Sequence, residues 1–452
     1  MNNQVLELPS FRSICLNCLA ITALTWMPGC NQYAKDVQVY RQVLDGEHSA
    51  AVADYEPADS LSFPRSLQLA NADNESIASS GENYIQALAE KMRQAGTFLP
   101  TLSMGSDYSL THHRGDANTS HQFSVPMTAS MTGTLANLSN LDAACLTVDQ
   151  RRQLLLDERE TILLQVSQAY YDVLRYEKQA EVYENSVKLQ DERVREQLAK
   201  LKLGVVSPLD LAQSQADLAS TQSSLTQTRT NAINGRSGLA RLMGVAAVAG
   251  SLTDAFDPPA EITAIEVWRE QAFAQRQDLL AAARETEAAG ANVEAAIRQY
   301  YPSVTINFEY MLHHDPSSLQ VWSSVLSVNL PIFSALTIEA EVRKAWSVYR
   351  QAGLSQSSTR RLVLDDVNQN YQNVINSRTK ITYLKIQVEA AQRAYDLSLR
   401  SNELGSVSNI DLLTQKNNLL TAQLNLTDEQ FNEKTHYLGL LRATGKLWTV
   451  LP

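Results

Sequence analysis

Segments with the hydrophobic period of a β-strand alternate along the chain with long segments typical of helices. These two patterns predict the secondary-structure elements. Across residues 304–312 apolar side chains occupy every second position, which is typical of a β-strand. A second such run covers 319–330, and the first half repeats the pattern more weakly over 102–110 and 123–127. The sequence therefore predicts two β-hairpins, one in each half of the chain.

Each hairpin, closed by Pro126 or Pro331, leads into a helical segment almost free of helix breakers. Residues 135–203 contain neither glycine nor proline, and residues 336–404 contain only Gly353. A continuous helix of this length would approach about 100 Å. Helices of globular proteins average about a dozen residues, so the pattern excludes an ordinary compact domain.

Both long helices are predicted to reverse at a glycine, Gly204 or Gly405, because a left-handed C-terminal cap favours glycine. A new helix begins a few residues later, at 207–210 and at 408–411, each with the Ser-x-x-Asp pattern of a capping box. Leucines recur every seven residues in both returning helices, which predicts narrow coiled-coil seams. These leucines are Leu211, Leu218 and Leu225, then Leu412, Leu419 and Leu426.

The whole plan occurs twice. At an offset of 201 residues, LKLGVVSPLDL around Gly204 aligns with NELGSVSNIDL around Gly405. Upstream, TFLPTLSMGSDYSLTHH aligns with QYYPSVTINFEYMLHH at an offset of 202. The sequence predicts a first structural repeat over 75–244, opening with a helix from 75 to 95. A linker over 245–260 joins it to a second repeat over 261–445, whose opening helix reaches about 299.

The N-terminal region reads as an export signal. Residues 14–27 form an apolar run too short to span a membrane but of the size found in secretory signals. The run ends at Gly29-Cys30, which predicts a lipoprotein-type signal peptide over 1–29 and lipidation of Cys30. Simple cleavage nearby is the alternative. The other segments are an irregular N-terminal stretch, 30–74, and a C-terminal tail, 446–452.

The composition and motifs of the chain argue against several classes of function. A net charge of −11 without basic clusters argues against a nucleic-acid partner. The sequence has no nucleophile elbow, phosphate-binding glycine loop or convergent acid–base set, so we expect neither catalysis nor a cofactor. The pairs His112-His113 and His313-His314 are poor metal chelators, because adjacent strand residues point to opposite faces.

Four strands suggest a membrane structure only if several chains combine. The smallest membrane barrels need about eight strands, and open edges are intolerable in lipid. Tyr300, Tyr301 and Trp322 are candidates for an aromatic girdle at the membrane surface. A soluble sheet packed on helices is the alternative interpretation.

These features resemble the TolC family of outer-membrane factors, and the lipidated branch of that family is similar to the OprM group. The resemblance is carried by the signal with its lipobox, the half-repeats and the paired LG-x-x-S-x-(L/I)-D-L turns. Further matching segments are QAYYDVLRYEK, SVNLPIF and RQDLLAAARETEAAGANVEAAIRQYYPSV. The implied fold is mainly α with membrane β, a TolC-like trimeric α/β-barrel. Each chain of the homotrimer would supply four strands and long antiparallel coiled-coil helices, giving a twelve-stranded barrel and a periplasmic tunnel.

The resemblance also implies a function. The chain would be the outer-membrane channel of a tripartite efflux system, a passive exit duct for drugs or other small molecules. Its partners would be a periplasmic adaptor, an inner-membrane transporter of RND, ABC or MFS type, and outer-membrane lipid. The same duct in type I protein secretion is an alternative, and a soluble periplasmic coiled-coil scaffold is an alternative of a different class.

Family functional residues map onto the two helical tips. The adaptor would dock on Leu203, Gly204, Val205, Val206, Ser207 and Pro208 and on Leu404, Gly405, Ser406, Val407, Ser408 and Asn409. Asp210 and Asp411 match aspartates at the constricted periplasmic aperture, although helix capping is their simpler role. The acid and the closing latch of the family prototype fall on Thr414, Asn402 and Val407, so a different set of contacts must hold the gate closed here.

Lipidation of Cys30 is directly testable. Protein extracted from membranes should have an intact mass that starts at Cys30 and carries a diacylglyceryl addition. Cys30→Ser should weaken anchoring but leave membrane insertion intact, because the strands have their own affinity for lipid. An unlipidated N-terminus elsewhere would contradict the prediction.

Overall fold

The computed structural model describes residues 29–45, 55–112, 119–315 and 321–450. The chain divides into two compact units, residues 1–49 and 50–452. The first unit contains one described helix, α1 (Gly29–Asp45). The signal peptide up to residue 28 and the side chain of Cys30 lie outside what the structure describes.

The second unit contains the repeat, built twice. The first copy consists of α3 (Glu75–Gly96), β2 (Thr101–Met104), β3 (Asp107–His112), β4 (Thr119–Gly133), α4 (Leu135–Lys202) and α5 (Pro208–Leu242). The second consists of α7 (Gln277–Arg298), β6 (Ser303–Asp315), β7 (Trp322–Asn329), α8 (Thr337–Glu403) and α9 (Asn409–Ala443). The connecting elements are β1 (Leu61–Ser62), α2 (Phe63–Asp73), β5 (Leu252–Thr253), α6 (Ile265–Gln275) and a 3₁₀ turn (Leu447–Val450).

The two long helices of the second unit confirm the predicted fold class. Helix α4 has 68 residues and α8 has 67, and each packs along its returning helix, α5 or α9. Helix α4 is flanked by α3 and α7, while α7 lies between α4 and α8. Across the described residues, no helix is long and apolar enough to cross a membrane.

One antiparallel sheet contains both hairpins. Strands β2 and β3 pair with successive parts of β4, so they act as one interrupted strand along its edge. On its other side β4 pairs with β6, which pairs with β7. The order of strands leaves β2 with β3 at one edge of this sheet and β7 at the other.

The prediction that the first hairpin ends at Pro126 was wrong. Strand β4 runs seven residues further, to Gly133, and Pro126 lies inside it at a shift of register against β6. A bulge tolerates proline because the ladder is already interrupted there. Pro331, in contrast, follows the end of β7 as expected.

The prediction of an irregular segment over 30–74 was wrong. Besides α1, it contains β1 and α2, whose residues Phe63 and Leu67 are fully buried. Pro64, in the first turn of α2, suits a helix start. Because the apolar positions are few and lie among polar residues, their pattern is weak in the sequence.

The single helix predicted from 261 to about 299 is two helices that break at Arg276. This residue leaves helical geometry, and its buried guanidinium lies 2.9 Å from Asp278 Oδ1 and 2.6 Å from Asp366 Oδ2 on α8. A break also makes room for the chain at Gly445, where an added Cβ would lie 2.8 Å from the carbonyl oxygen of Gln275. The sequence contains no glycine or proline at this break to signal it.

An aromatic core ties the connecting segments to the long helices. Phe63, Tyr170 and Tyr171 are fully buried and in mutual ring contact. The Tyr170 hydroxyl lies 2.8 Å from the carbonyl oxygens of both Leu61 and Thr253 and accepts the Thr253 N–H at 3.0 Å. It therefore joins the parallel pair β1–β5 to the middle of α4.

Candidate functional site: the two helical tips

Both tips reverse through the same backbone motif. Gly204 and Gly405 have φ of +71° and +75°, the left-handed region that disfavours any other residue type. In the first tip the Val205 N–H donates to Lys200 O at 3.0 Å and the Gly204 N–H to Leu201 O at 2.9 Å. This is a Schellman motif, and it satisfies carbonyl groups that would otherwise be unpaired at the helix end.

The residues after each glycine start the returning helix. In the first tip the Asp210 N–H donates to Ser207 Oγ and the Ser207 N–H donates to Asp210 Oδ2, both at 3.2 Å. In the second, the Asp411 N–H donates to Ser408 Oγ at 3.2 Å, and Ser408 Oγ donates to Asp411 Oδ2 at 2.6 Å. Both aspartates are therefore helix-capping groups, Asp210 partly buried and Asp411 exposed.

The tips present apolar side chains to solvent. Leu203 is 78% exposed and Leu404 is 84% exposed. Next to them nothing lies within 4 Å of a Cβ built on Gly204 or Gly405. The backbone of each reversal is thus open to approach, with an apolar side chain beside it.

Polar contacts join the two hairpins close to the tips. The buried Asn409 donates through Nδ2 to Asp210 O at 3.1 Å and to Ser214 Oγ at 3.3 Å. Two turns along α9, Lys416 Nζ lies 2.5 Å from Asp217 Oδ2 on α5, and both side chains are largely buried. Burial lowers the pKa of Lys416, and Asp217 opposes that shift.

The position that departs from the prototype latch makes its own contacts. Asn402 donates through Nδ2 to Val407 O at 2.9 Å, which spans the second tip. Its Oδ1 accepts a hydrogen bond from Arg193 on α4. Thr414 donates only within its own helix, to Ile410 O at 2.8 Å.

Sequence reasoning missed Arg193, Asp217 and Lys416. Each is a charged residue among many on a helix that reads as a solvated face, so only the packing of the two hairpins identifies them. Among the described residues, no group of three histidine, cysteine or acidic side chains could hold a metal ion.

Each repeat joins strands of one sheet to a long helical hairpin with an exposed tip, an arrangement that suits a channel protomer. The chain belongs to the outer membrane efflux protein family, whose model matches residues 66–245 and 268–446.

Known proteins agree with this assignment. The chain is 23% identical over 318 residues to the outer membrane efflux protein BepC of Brucella suis biovar 1 (strain 1330), which covers 68% of each chain. It is 22% identical over 391 residues to the outer membrane protein TolC of Escherichia coli (strain K12), covering 80% of this chain and 78% of that one. The Campylobacter jejuni CmeC outer membrane channel has the same fold, with a TM-score of 0.76, 16% identity and coverage of 85% and 86%.

The tip glycines can be tested against a matched control. Gly204→Ala and Gly405→Ala should each destabilise their tip by about 1 kcal/mol, because alanine disfavours a positive φ. Amide hydrogen exchange in the last turn of α4 or α8 should then be roughly fivefold faster. Gly353→Ala also has open space around its Cβ but lies within α8, so it should slow exchange locally. Equal effects at all three positions would contradict the backbone argument.

Proposed function

We propose that the chain is the outer-membrane exit duct of a tripartite efflux system, closed by three copies. Membership of the outer membrane efflux protein family makes efflux across the outer membrane its activity. The observation that supports assembly from several copies is that one chain leaves two faces without a neighbour. Strand β7 and helix α8 lie at one end, while β2 with β3 and helix α3 lie at the other.

The internal repeat indicates which elements of two neighbouring copies would pack together. Within the chain, α4 of the first repeat packs on α7, which opens the second. Helix α8 is the repeat equivalent of α4, and α3 is the equivalent of α7. Helix α8 of one copy would therefore receive α3 of the next, and β7 would pair with the next copy's β2 and β3. Such a head-to-tail contact generates a closed ring if its rotation closes.

Charge supports the same pairing. Asp149 on α4 faces Arg284 on α7; the pKa of Arg284 is raised mainly by its hydrogen bond to Glu287, and Asp149 adds to the rise. At the repeat offsets of 201 and 202, these residues correspond to Arg350 on α8 and Glu82 on α3. The signs are exchanged, but the pair is again complementary.

A charge exchange between Arg350 and Glu82 tests the head-to-tail ring. Neither residue has an ion-pair partner in the part of the chain that the structure describes. Glu82→Arg and Arg350→Glu should each reduce the trimer fraction in detergent severalfold, because like charges then meet across the contact. The double variant should restore it. Native mass spectrometry measures the fraction of protein in the trimer. The pairing would be contradicted if the single variants formed trimers normally, or if the double variant formed trimers as poorly as the single variants.

Aromatic residues support the membrane location of the sheet. Tyr300 and Tyr301 precede β6 at the end of the sheet next to the helices. Trp322 pairs with Tyr310, seven residues further along β6 than Ser303. At about 3.3 Å per residue the part of β6 from Ser303 to Tyr310 is about 23 Å long, so the strand between the two groups of aromatic residues spans most of an apolar band about 25 Å tall.

We propose that the tips, residues 203–208 and 404–409, dock the periplasmic adaptor, behind which an inner-membrane transporter would supply the substrate. Exposed leucines beside open glycine backbone suit a helical partner that approaches closely. Leu203→Glu and Leu404→Glu should abolish drug resistance in a host lacking its own outer-membrane channel while leaving trimer levels normal. Ile233→Glu, at another largely exposed apolar side chain seven turns along α5, is the control. Full resistance with both tip variants would contradict the docking proposal.

We also propose that Asp210 and Asp411 form a ring of carboxylates at the periplasmic aperture. Threefold symmetry would bring each aspartate close to its copies, and a confined group of negative charges favours cations. Contacts of Asn402 with Arg193, and of Lys416 with Asp217, hold the two hairpins of one chain together beside this aperture.

Asparagine substitutions separate the proposed charge from capping. Asp411→Asn and Asp210→Asn keep the size and much of the capping but remove the charge. The channel should lose cation selectivity and be blocked less by trivalent cations, with normal assembly, as measured by reversal potentials in a salt gradient. Unchanged selectivity and block in both variants would leave these residues as helix caps only.

A further inference from the structure

The connection between β7 and α8 is unlike its counterpart in the first repeat. There, β4 ends at Gly133 and α4 begins two residues later, with Thr134 Oγ1 accepting the Asn137 N–H at 3.2 Å. In the second repeat the chain instead runs through residues 330–336, Leu-Pro-Ile-Phe-Ser-Ala-Leu, before α8 starts without a side-chain cap. We call these seven residues the apolar connection.

The apolar connection exposes its largest side chains. Ile332 is 93% exposed and Phe333 is 84% exposed, and Leu330 and Leu336 are more than half exposed. Ala335 and Leu336 have φ of +48° and +67°, the only non-glycine residues with positive φ in the described part of the chain. Strained backbone of this kind persists where surrounding contacts hold it, and often marks a functional segment.

The connection lies within a belt without charged residues. Every strand of the sheet either lies inside a stretch of sequence without charged residues or joins one at the end of the strand nearer the helices. No aspartate, glutamate, lysine or arginine occurs in residues 94–106, 122–141, 299–308 or 316–338. Beyond the belt, charges resume at Arg93, Asp142, Arg298 and Glu339.

In the first repeat, different residues occupy the corresponding position between the sheet and the long helix. Leu135 and Leu138, in the first turn of α4, are each nearly half exposed. Leu135 is the repeat equivalent of Leu336 at the offset of 201. Both halves of the chain thus carry exposed apolar side chains just beyond the sheet, at the end where the exposed Tyr300 and Tyr301 precede β6.

We propose that the apolar connection inserts Ile332 and Phe333 into the periplasm-facing leaflet, so that lipid contact continues beyond the strands onto the start of the helices. The occupant is the lipid bilayer, because the connection is continuous with the charge-free belt of the sheet and ends where charges resume. This inference rests on the proposed location of the sheet in the outer membrane. Aliphatic and aromatic side chains flanked by polar ones suit the boundary between acyl chains and headgroups.

Site-directed spin labelling tests the proposal. Ile332→Cys and Phe333→Cys, made singly in a Cys145→Ser background, are labelled with a nitroxide. The assembled protein is placed in vesicles of phosphatidylethanolamine and phosphatidylglycerol. Molecular oxygen concentrates in the bilayer and a neutral nickel chelate stays in water, so both labels should collide severalfold more with oxygen than with nickel. The unsubstituted Cys145→Ser protein gives the background from Cys30.

Two further labels interpret the outcome. A label at Val328→Cys in β7 should also favour oxygen, and one at Leu203→Cys in the tip should favour nickel. If Val328 favours oxygen while both connection labels favour nickel, the connection faces water and the inference is wrong. If the connection labels are shielded from both reagents, a neighbouring copy covers them and the inference is equally wrong. If Val328 itself favours nickel, the membrane location of the sheet fails as well.

Discussion

An unpaired backbone N–H or C=O group costs several kcal/mol in hydrocarbon, and the proposed assembly of this chain follows from that constraint. Its main sheet, in which β2 and β3 together form one edge, leaves that edge unpaired on one side and β7 unpaired on the other. No rearrangement within one chain pairs both edges, because about eight strands are needed to close a barrel. In the proposed ring, copies of the chain would supply each other's missing neighbours, and the helices next to the sheet would follow the same geometry.

The internal repeat indicates which helices of neighbouring copies would meet. In the proposed ring, the contact between α4 and α7 inside the chain is the template for a contact between α8 and α3 of successive copies. The repeats are not identical where their surroundings differ. Asn74 caps α3 and donates to Leu242 O at 2.8 Å, whereas its equivalent Arg276 forms ion pairs with Asp278 and Asp366. The strand-to-helix connections differ as well, one capped by Thr134 and the other exposed and strained at Ala335 and Leu336.

Much of this architecture could be predicted from the sequence, because it depends on local signals. Long segments without glycine or proline give α4 and α8, and positive φ at the tips requires Gly204 and Gly405. What the sequence does not reveal depends on contacts between distant residues. Pro126 suggested the end of a strand, but a bulge against β6 accommodates it. The break at Arg276 follows from an ion pair with Asp366, ninety residues away in the chain. For the same reason the contacts of Asn402 with Arg193 and of Lys416 with Asp217 could not be predicted from the sequence alone.

We propose that copies of this chain enclose a continuous conducting path. Conductance of the purified full-length protein in a planar lipid bilayer tests it most directly. Protein that migrates as a heat-resistant trimer should insert spontaneously and produce discrete current steps of uniform size. A water-soluble protein that requires no detergent, remains monomeric and produces no current steps would contradict it.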